Sequence, residues 1–345
     1  MRRIPYDRLV DFGAALLAGE HVPQANARVV AEACVRAEAF GVTTHGVTVL
    51  ASAVRQVGRR IDPAAVPRVL RREGAVARID GSRTFGPLAM EVAKEIAVPA
   101  ARQYGIAMAA AINTSWLGAI GPYLIDVAEA GLLAQVTTQS SSYRKCAPVG
   151  GLDARFSTNP IALALPTGGE PVIADFSTGA QSMQKMSDWH AAGRKAPEPI
   201  FLDAEGTLTD DPAVVVEGDG TMLFTGGASF GHKGFALSLW CEALTALSGG
   251  HANDPDAHGG QSFTLTVLDP EAFAGREYYL AEMTRFIAYV KDSRLRPGFD
   301  AIRLPGERGL AALRDAKAHG VPLSPPQIGR LNELARARGI ACLPA

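Results

Sequence analysis

In Ser157-Thr158-Asn159-Pro160-Ile161-Ala162-Leu163-Ala164-Leu165-Pro166-Thr167-Gly168-Gly169-Glu170-Pro171-Val172-Ile173-Ala174-Asp175-Phe176-Ser177-Thr178-Gly179, two short apolar runs stand among turn-forming residues. Residues 161–166 and 172–176 read as strands, because each is short, apolar and bounded by Pro or Gly. The Asn159-Pro160 pair is explained by turn chemistry alone. Asp175 falls where an apolar strand opens into a polar turn. Functional side chains concentrate at such strand ends, although Asp-x-Ser-Thr also caps helices and a helix over 181–192 is expected to follow.

The same texture extends outward. Residues 75–79, 106–112, 132–138 and 263–268 read as further strands; 87–102, 121–130 and 235–247 read as helices. Tyr279, Met283, Phe286, Ile287 and Val290 fall on one face of another helix. The two ends of the chain read differently. Pro5 opens one helix, Pro23 a second reaching Phe40, and a third runs over 47–59. Near the other end Ser324 and Gln327 form a capping box with Pro325 at the first helical position. The expected fold is therefore mixed α/β, with an α/β body over 75–305 and a helical terminal domain from 1–74 and 306–345. At about 150 residues per domain, 345 residues accommodate both.

Composition removes several function classes. Hydrophobic residues make up 47% and charged residues 20%, as in a compact globular chain. Thirty-four Lys and Arg balance 35 Asp and Glu, so the clustered positive charge on which nucleic-acid and anionic-membrane binders depend is missing. The basic stretch Arg68-Val69-Leu70-Arg71-Arg72 is short and reads as a solvated face. Cys34, Cys146, Cys241 and Cys342 lie far apart with no CxxC pair, which predicts buried free thiols in a reducing compartment. The seven histidines show no metal-ligand spacing, so no metal is expected. Asp7, Arg8 and Asp11 interrupt any leader-like apolar segment, and the uncharged stretch 104–125 carries Asn113, Gly118 and Pro122 at its centre. No membrane segment is expected, and a cytoplasmic protein is.

Three motifs could carry chemistry. GxGxxG is absent. Gly226-Gly227-Ala228-Ser229-Phe230-Gly231-His232-Lys233-Gly234 places a lysine among glycines at the expected entrance to a helix, either to bind an anion or merely to turn the chain. His45 lies in Thr43-Thr44-His45-Gly46, a polar turn where it could deliver a proton or serve structure. Pro305-Gly306-Glu307 reads as a turn into a helix, with Glu307 favourable at its start.

Taken in order, HGV at 45–47, NTSxxGAxG at 113–121, TNPIAxAxP at 158–166, DFST at 175–178, GHKGFAL at 231–237 and PGE at 305–307 resemble the type-II malate/L-lactate dehydrogenase family, over residues 5 to 335. That family also includes ureidoglycolate dehydrogenases, diketogulonate reductases and cyclic-imine carboxylate reductases. The resemblance implies a non-Rossmann body binding NADH or NADPH, a homodimer and a small-molecule substrate. It places cofactor contacts on Asp175, Phe176, Ser177, His232, Lys233, Gly306 and Glu307, and the proton donor on His45. Two positions depart from the pattern. Val49 stands where the family has an arginine, and Trp116 where it has a second histidine.

An indole offers one N–H donor and an apolar face, but exchanges no proton near neutrality. Reduction of a ketone leaves an alkoxide that needs an acid, whereas a protonated imine brings its own proton. The expectation is therefore an NAD(P)H-dependent reductase acting on an imine or unusual keto compound, with Trp116 in the substrate site. Redox-neutral use of the bound nicotinamide, or binding without catalysis, are the alternatives. Tyr143 and Lys145, in a loop longer than the family's, are further candidates to replace the missing group.

Overall fold

A computed structural model describes residues 1–141, 143–253 and 260–344; Ser142, in the loop that carries Tyr143, lies outside them. The chain opens with β1 (Arg2–Ile4), α1 (Tyr6–Ala18), α2 (Gln24–Ala39) and α3 (Val47–Gln56). The body runs β2 (Arg68–Glu73), β3 (Val76–Asp80), α4 (Gly86–Tyr104), β4 (Ile106–Thr114), α5 (Ile125–Glu129), β5 (Leu133–Ser140), β6 (Ile161–Leu165) and β7 (Val172–Phe176). It continues through α6 (Met183–Ala191), β8 (Phe201–Leu202), β9 (Leu208–Thr209), α7 (Ala213–Val216), β10 (Thr221–Met222), α8 (Gly227–Ser248), β11 (Gln261–Leu268) and α9 (Arg276–Lys291). The chain then closes with α10 (Glu307–His319), β12 (Val321–Leu323) and α11 (Pro325–Arg336).

Seven strands form the main sheet in the order β2-β3-β4-β11-β5-β6-β7, and β7 is an edge. Of these neighbours β3 and β4 run parallel, with α4 as their crossover, and the others are antiparallel. The sheet is thus mixed rather than doubly wound. The terminal segments are tied together: Arg2 pairs with Leu323 and Ile4 with Val321, while Ser324 and Gln327 form the expected capping box.

One apolar core runs from the terminal helices into the sheet, joining Leu9, Leu16, Val30 and Leu50 to Phe85, Ile79, Phe263 and Leu265. Gly13 allows the helices to approach: a Cβ there would lie 2.9 Å from Leu50 Cδ2 and 3.1 Å from Ala31 Cβ. A second, smaller core gathers Cys146, Met186, Trp189, Phe201, Met222 and Phe224. Phe156 meets Phe224 and Phe235 edge-on, with ring centroids 5.6 and 5.5 Å away, which fastens this unit to α8.

Several expectations shift. The helix expected over 235–247 begins eight residues earlier, at Gly227, so Lys233 sits in its second turn rather than at its entrance. Glycines that read as loop punctuation, Gly231 and Gly234, instead lie buried inside α8, and Gly234 lets that helix approach closely, since a Cβ there would meet Thr225 O at 2.7 Å. Residues 121–130 divide into a 3₁₀ turn and the short α5, and the third helix stops at Gln56. Arg68–Glu73 is solvent-exposed as expected but is an edge strand, invisible because its side chains face water on both sides. Strands of two or three residues (β1, β8, β9, β10 and β12) are too short to show periodicity.

Ser182, not Asp175, caps α6. The face of α9 is at most half-buried, with Phe286 exposed. Cys34, Cys146 and Cys241 are buried free thiols, but Cys342 is exposed because the last residues lie along the surface. Among the described residues, no helix is long and apolar enough to cross a membrane.

Candidate active site

His45 ends a single 3₁₀ turn (Thr43–His45) between α2 and α3 and is half-buried. Its Nδ1 lies 2.9 Å from Thr44 Oγ1. Burial disfavours the charged imidazolium and lowers the His45 pKa, so the ring is neutral at pH 7 and yields its proton readily once charged. Beneath this turn Glu38, 3% exposed, accepts from Val47 N at 3.0 Å and from Gln327 Nε2 at 2.7 Å. Sequence reasoning missed Glu38; the available signal was an acid on the otherwise Ala- and Val-rich face of α2.

The loop 115–121, between β4 and the next 3₁₀ turn, is pinned from several sides. Ser115 N donates to Thr84 O at 2.9 Å, Leu117 N to Gln261 Oε1 at 3.0 Å and Tyr123 OH to Leu117 O at 2.7 Å. Gly86 must be glycine here, since a Cβ would fall 2.4 Å from the Trp116 carbonyl oxygen. Asn113 enters the loop at φ +56°, held by Asn113 Nδ2 donating to Asp80 Oδ1 at 3.2 Å. At Gly118, φ +78°, the backbone of His45 and the benzo edge of Trp116 converge: a Cβ there would lie 3.7 Å from His45 O and 3.8 Å from the ring. Trp116 is half-buried, and its Nε1 is buried without a hydrogen-bond partner among the described residues. An orphan donor of this kind costs about 1–3 kcal/mol until something accepts from it.

The far end of the loop grips Asp175. Its Oδ2 accepts from Ile120 N at 2.9 Å and Gly121 N at 2.7 Å. Much of the residue's surface is open to solvent, yet the carboxyl lies deep among protein atoms. Desolvation wins over the two N–H bonds and pushes its pKa up to about 6. One loop therefore meets the backbone of His45 and carries Trp116 at one end, and holds a carboxyl of raised pKa at the other.

The remaining candidates line up along the edge strand β7. Phe176 and Ser177 follow Asp175 at its tip, and Thr225 Oγ1 donates to Ser177 O at 3.0 Å. Gly234 lies against this tip, since a Cβ would meet Thr178 O at 2.8 Å and Thr225 O at 2.7 Å. That packing brings the exposed His232 and Lys233 of α8 beside β7, with Lys233 Nζ 5.2 Å from the Phe230 ring centroid.

At the opposite end of β7, Ile173 N donates to Pro305 O at 3.1 Å and Gly306 adopts φ +85°. Glu307 accepts from Leu304 N at 2.9 Å and Lys291 Nζ at 3.0 Å, which hold its carboxyl below the usual range. A cavity of about 460 Å³ opens there, lined by Thr167, Pro171, Thr284, Ile287, Lys291 and Glu307. Asp175 lies four residue steps along the extended chain from Pro171, about 13 Å. Glu307 and the cavity at one end of that span, and the Asp175 carboxyl with the exposed His232 and Lys233 at the other, offer the spaced polar groups that an elongated dinucleotide needs.

Val49 is half-buried on α3 and offers no charge. Lys145 Nζ is committed to Val215 O at 2.8 Å, within the smaller lobe, and Tyr143 is exposed.

A malate dehydrogenase of Pyrococcus abyssi is 31% identical to this chain over 98% of it and 95% of the relative. A Δ1-pyrroline-2-carboxylate/Δ1-piperideine-2-carboxylate reductase of Pseudomonas putida is also 31% identical, over 96% of both. Among solved structures, the malate dehydrogenase of Pyrococcus horikoshii superposes with a TM-score of 0.88 at 29% identity, over 99% of this chain and 97% of that one. The Δ1-piperideine-2-carboxylate reductase of Pseudomonas syringae pv. tomato gives 0.83 at 29%, over 97% and 100%.

Fold and relatives together define an oxidoreductase, a dehydrogenase or reductase that moves hydride to or from a C=O or C=N group of a small molecule with a nicotinamide cofactor. Residues 4–332 match the malate/L-lactate dehydrogenase family profile, and the chain belongs to that family.

Proposed function

We propose that this enzyme reduces a cyclic imine, or a keto compound of low acidity, with NADH or NADPH. The observation that carries the reading is Trp116 in the histidine's place: its indole N–H has no partner among the described residues, and the benzo edge of its ring lies across Gly118 from the backbone of His45. When bound, the nicotinamide supplies hydride. Asp175, Phe176, Ser177, His232 and Lys233 would hold the cofactor near the tip of β7, and Gly306 and Glu307 at its other end.

His45 is the group that moves a proton, and Asp175 holds the loop that presents Trp116. A protonated imine arrives with its own proton, so hydride addition to carbon yields a neutral amine directly. A lone, half-buried histidine suffices for that step. In this division of labour the terminal lobe (1–74 with 306–345) contributes His45, and the body (75–305) contributes Trp116 and Asp175.

The test is a panel of Δ1-piperideine-2-carboxylate, Δ1-pyrroline-2-carboxylate, oxaloacetate and pyruvate, followed by NAD(P)H oxidation. The imines should be turned over at least tenfold more efficiently; preference for the simple keto acids overturns the proposal. The double variant V49R/W116H restores the family's arginine and second histidine. Its keto-acid to imine ratio in kcat/KM is expected to rise at least tenfold, because the restored acid serves the alkoxide of a ketone and not a protonated imine, while the arginine would bind the carboxylate that all four substrates carry.

A homodimer completes the proposal. On α8, Leu237, Leu239, Trp240 and Leu247 are 41 to 71% exposed, and Tyr278, Phe286 and Tyr289 of α9 are also uncovered. Long helices with faces this apolar mark an interaction surface. Leu239→Glu with Trp240→Glu is expected to halve the mass seen by light scattering; a wild-type monomer would refute the dimer.

A further inference from the structure

We propose that Glu38 is the positioning residue for His45, and that Gln327 of the C-terminal helix sets the orientation of Glu38 in turn. The inference rests on the reading of His45 as the proton-moving group. The residue that caps α3 is Gly46, which has no side chain to offer the first N–H groups of that helix. The missing acceptor comes from a different helix. Glu38 Oε2 takes the Val47 N–H at 3.0 Å, two residues beyond His45.

The carboxyl lies flush against the turn: a Cβ on Gly46 would stand 2.0 Å from Glu38 Oε2 and 2.7 Å from Glu38 Cβ. This approach requires glycine at position 46. The other carboxyl oxygen accepts from Gln327 Nε2 at 2.7 Å, and Gln327 Oε1 is itself held by Ser324 N at 2.8 Å and Ser324 Oγ at 2.9 Å. An unbroken series of hydrogen bonds therefore runs from the cap of α11, through Glu38, to the residue after Gly46.

Both of these donors to Glu38 are neutral amides. Burying a carboxylate on neutral partners is a poor way to gain stability, since an apolar side chain of similar size would avoid the desolvation. What the carboxylate provides is direction. It fixes where the peptide after His45 points, and its charge suits the amino end of α3. The turn itself is closed by backbone bonds, Val42 N to Ala37 O and His45 N to Val42 O, both 2.9 Å; among the described residues, Thr44 is the imidazole's one side-chain hydrogen-bond partner.

The test exploits the polarity of the series. E38Q keeps the shape and leaves an amide oxygen at position 38 to accept from Val47, but it sets a new N–H₂ group against Gln327 Nε2. The reciprocal variant E38Q/Q327E restores every donor–acceptor match. In it the amide at position 38 donates to the carboxylate at position 327, which still accepts from Ser324. With whichever substrate the panel identifies, E38Q should lower kcat at least tenfold with KM and the NADH or NADPH dissociation constant within twofold. The reciprocal variant should recover kcat to within threefold of wild type.

Carbon-13 NMR of labelled histidine gives a readout that needs no turnover. The His45 titration midpoint should move in E38Q, as the turn loosens, and return in the reciprocal variant. An unchanged His45 titration and unchanged kcat in E38Q, with only a lower melting temperature, would make Glu38 merely structural and overturn the proposal, as would failure of the reciprocal variant to restore either. If wild type reduces none of the panel, the functional reading fails on its own, and the NMR arm decides Glu38.

Discussion

D175N is expected to melt higher than wild type at pH 8 while binding the reduced nicotinamide cofactor, NADH or NADPH, at least tenfold more weakly. The two effects have one cause. In the folded protein the Asp175 carboxyl is pushed up to about 6 from an ordinary value near 4, so the folded state holds its proton more tightly than the unfolded chain does. A raised carboxyl favours folding fully below the unfolded value, and that advantage is lost as pH rises from about 4 through 6. At pH 8 the ionised group is a liability.

Asparagine removes the charge and keeps an amide oxygen for the Ile120 and Gly121 N–H groups. With the solvent-open side of the residue screening the effect, the gain at pH 8 should be about 1–2 kcal/mol, a few degrees in melting temperature, and should vanish near pH 4. A cofactor hydroxyl or amide, by contrast, binds the carboxylate better than the amide; a hydrogen bond to a charged group contributes about 1.5–3 kcal/mol, or roughly ten- to 150-fold in affinity. Scanning fluorimetry at pH 4.5 and 8, with and without NADH or NADPH, reads both. Weaker binding without the gain in stability would show that Asp175 is not strained by its surroundings; stability gained with unchanged affinity would remove it from the cofactor site.

Asp175 also illustrates what was legible in the sequence. Its strand was, because five apolar or aromatic-flanked residues between prolines and a Ser-Thr-Gly turn leave little else to form. Its partners were not. Ile120 and Gly121 lie more than fifty residues away, and no local pattern announces that two backbone N–H groups will converge on one oxygen. The same division holds for the helices. Ser324 and Gln327 were readable as a capping box because capping is a local bond, yet the link from Gln327 to Glu38 spans 289 positions.

Composition misled where glycine has two uses. Gly231 and Gly234 read as loop, but they are small residues on a helix pressed against its neighbours, Gly234 against Thr178 and Thr225. Amphipathicity misled at α9 for the opposite reason: its apolar face exists, but no described part of the chain buries it fully. The order of six weak motifs made the family readable, since a chance match to all six in sequence is far rarer than a match to any one.

H45Q should separate the two substrate classes more sharply than any other single change. Glutamine fills similar space beside Thr44 and cannot donate a proton to a developing alkoxide. With a keto substrate kcat is expected to fall about 10²- to 10⁴-fold, the usual contribution of a positioned general acid. With a cyclic imine protonated before it binds, the loss should be about tenfold or less, because the proton that ends on nitrogen never passes through residue 45.

The pH profiles should diverge likewise. Burial lowers the His45 pKa below 6.5, so keto reduction by wild type should decline as pH rises through that lowered value, while imine reduction should follow the protonation of the substrate itself. Folding gives an independent sign. A histidine depressed in the folded state weakens the fold as pH falls below the unfolded value near 6.5, so H45Q should be the more stable protein at pH 5 and no different at pH 8. Equal losses on both substrates would mean that His45 orients the reactants rather than supplying the proton, and Asp175, already near its midpoint at about pH 6, would then be the acid to pursue.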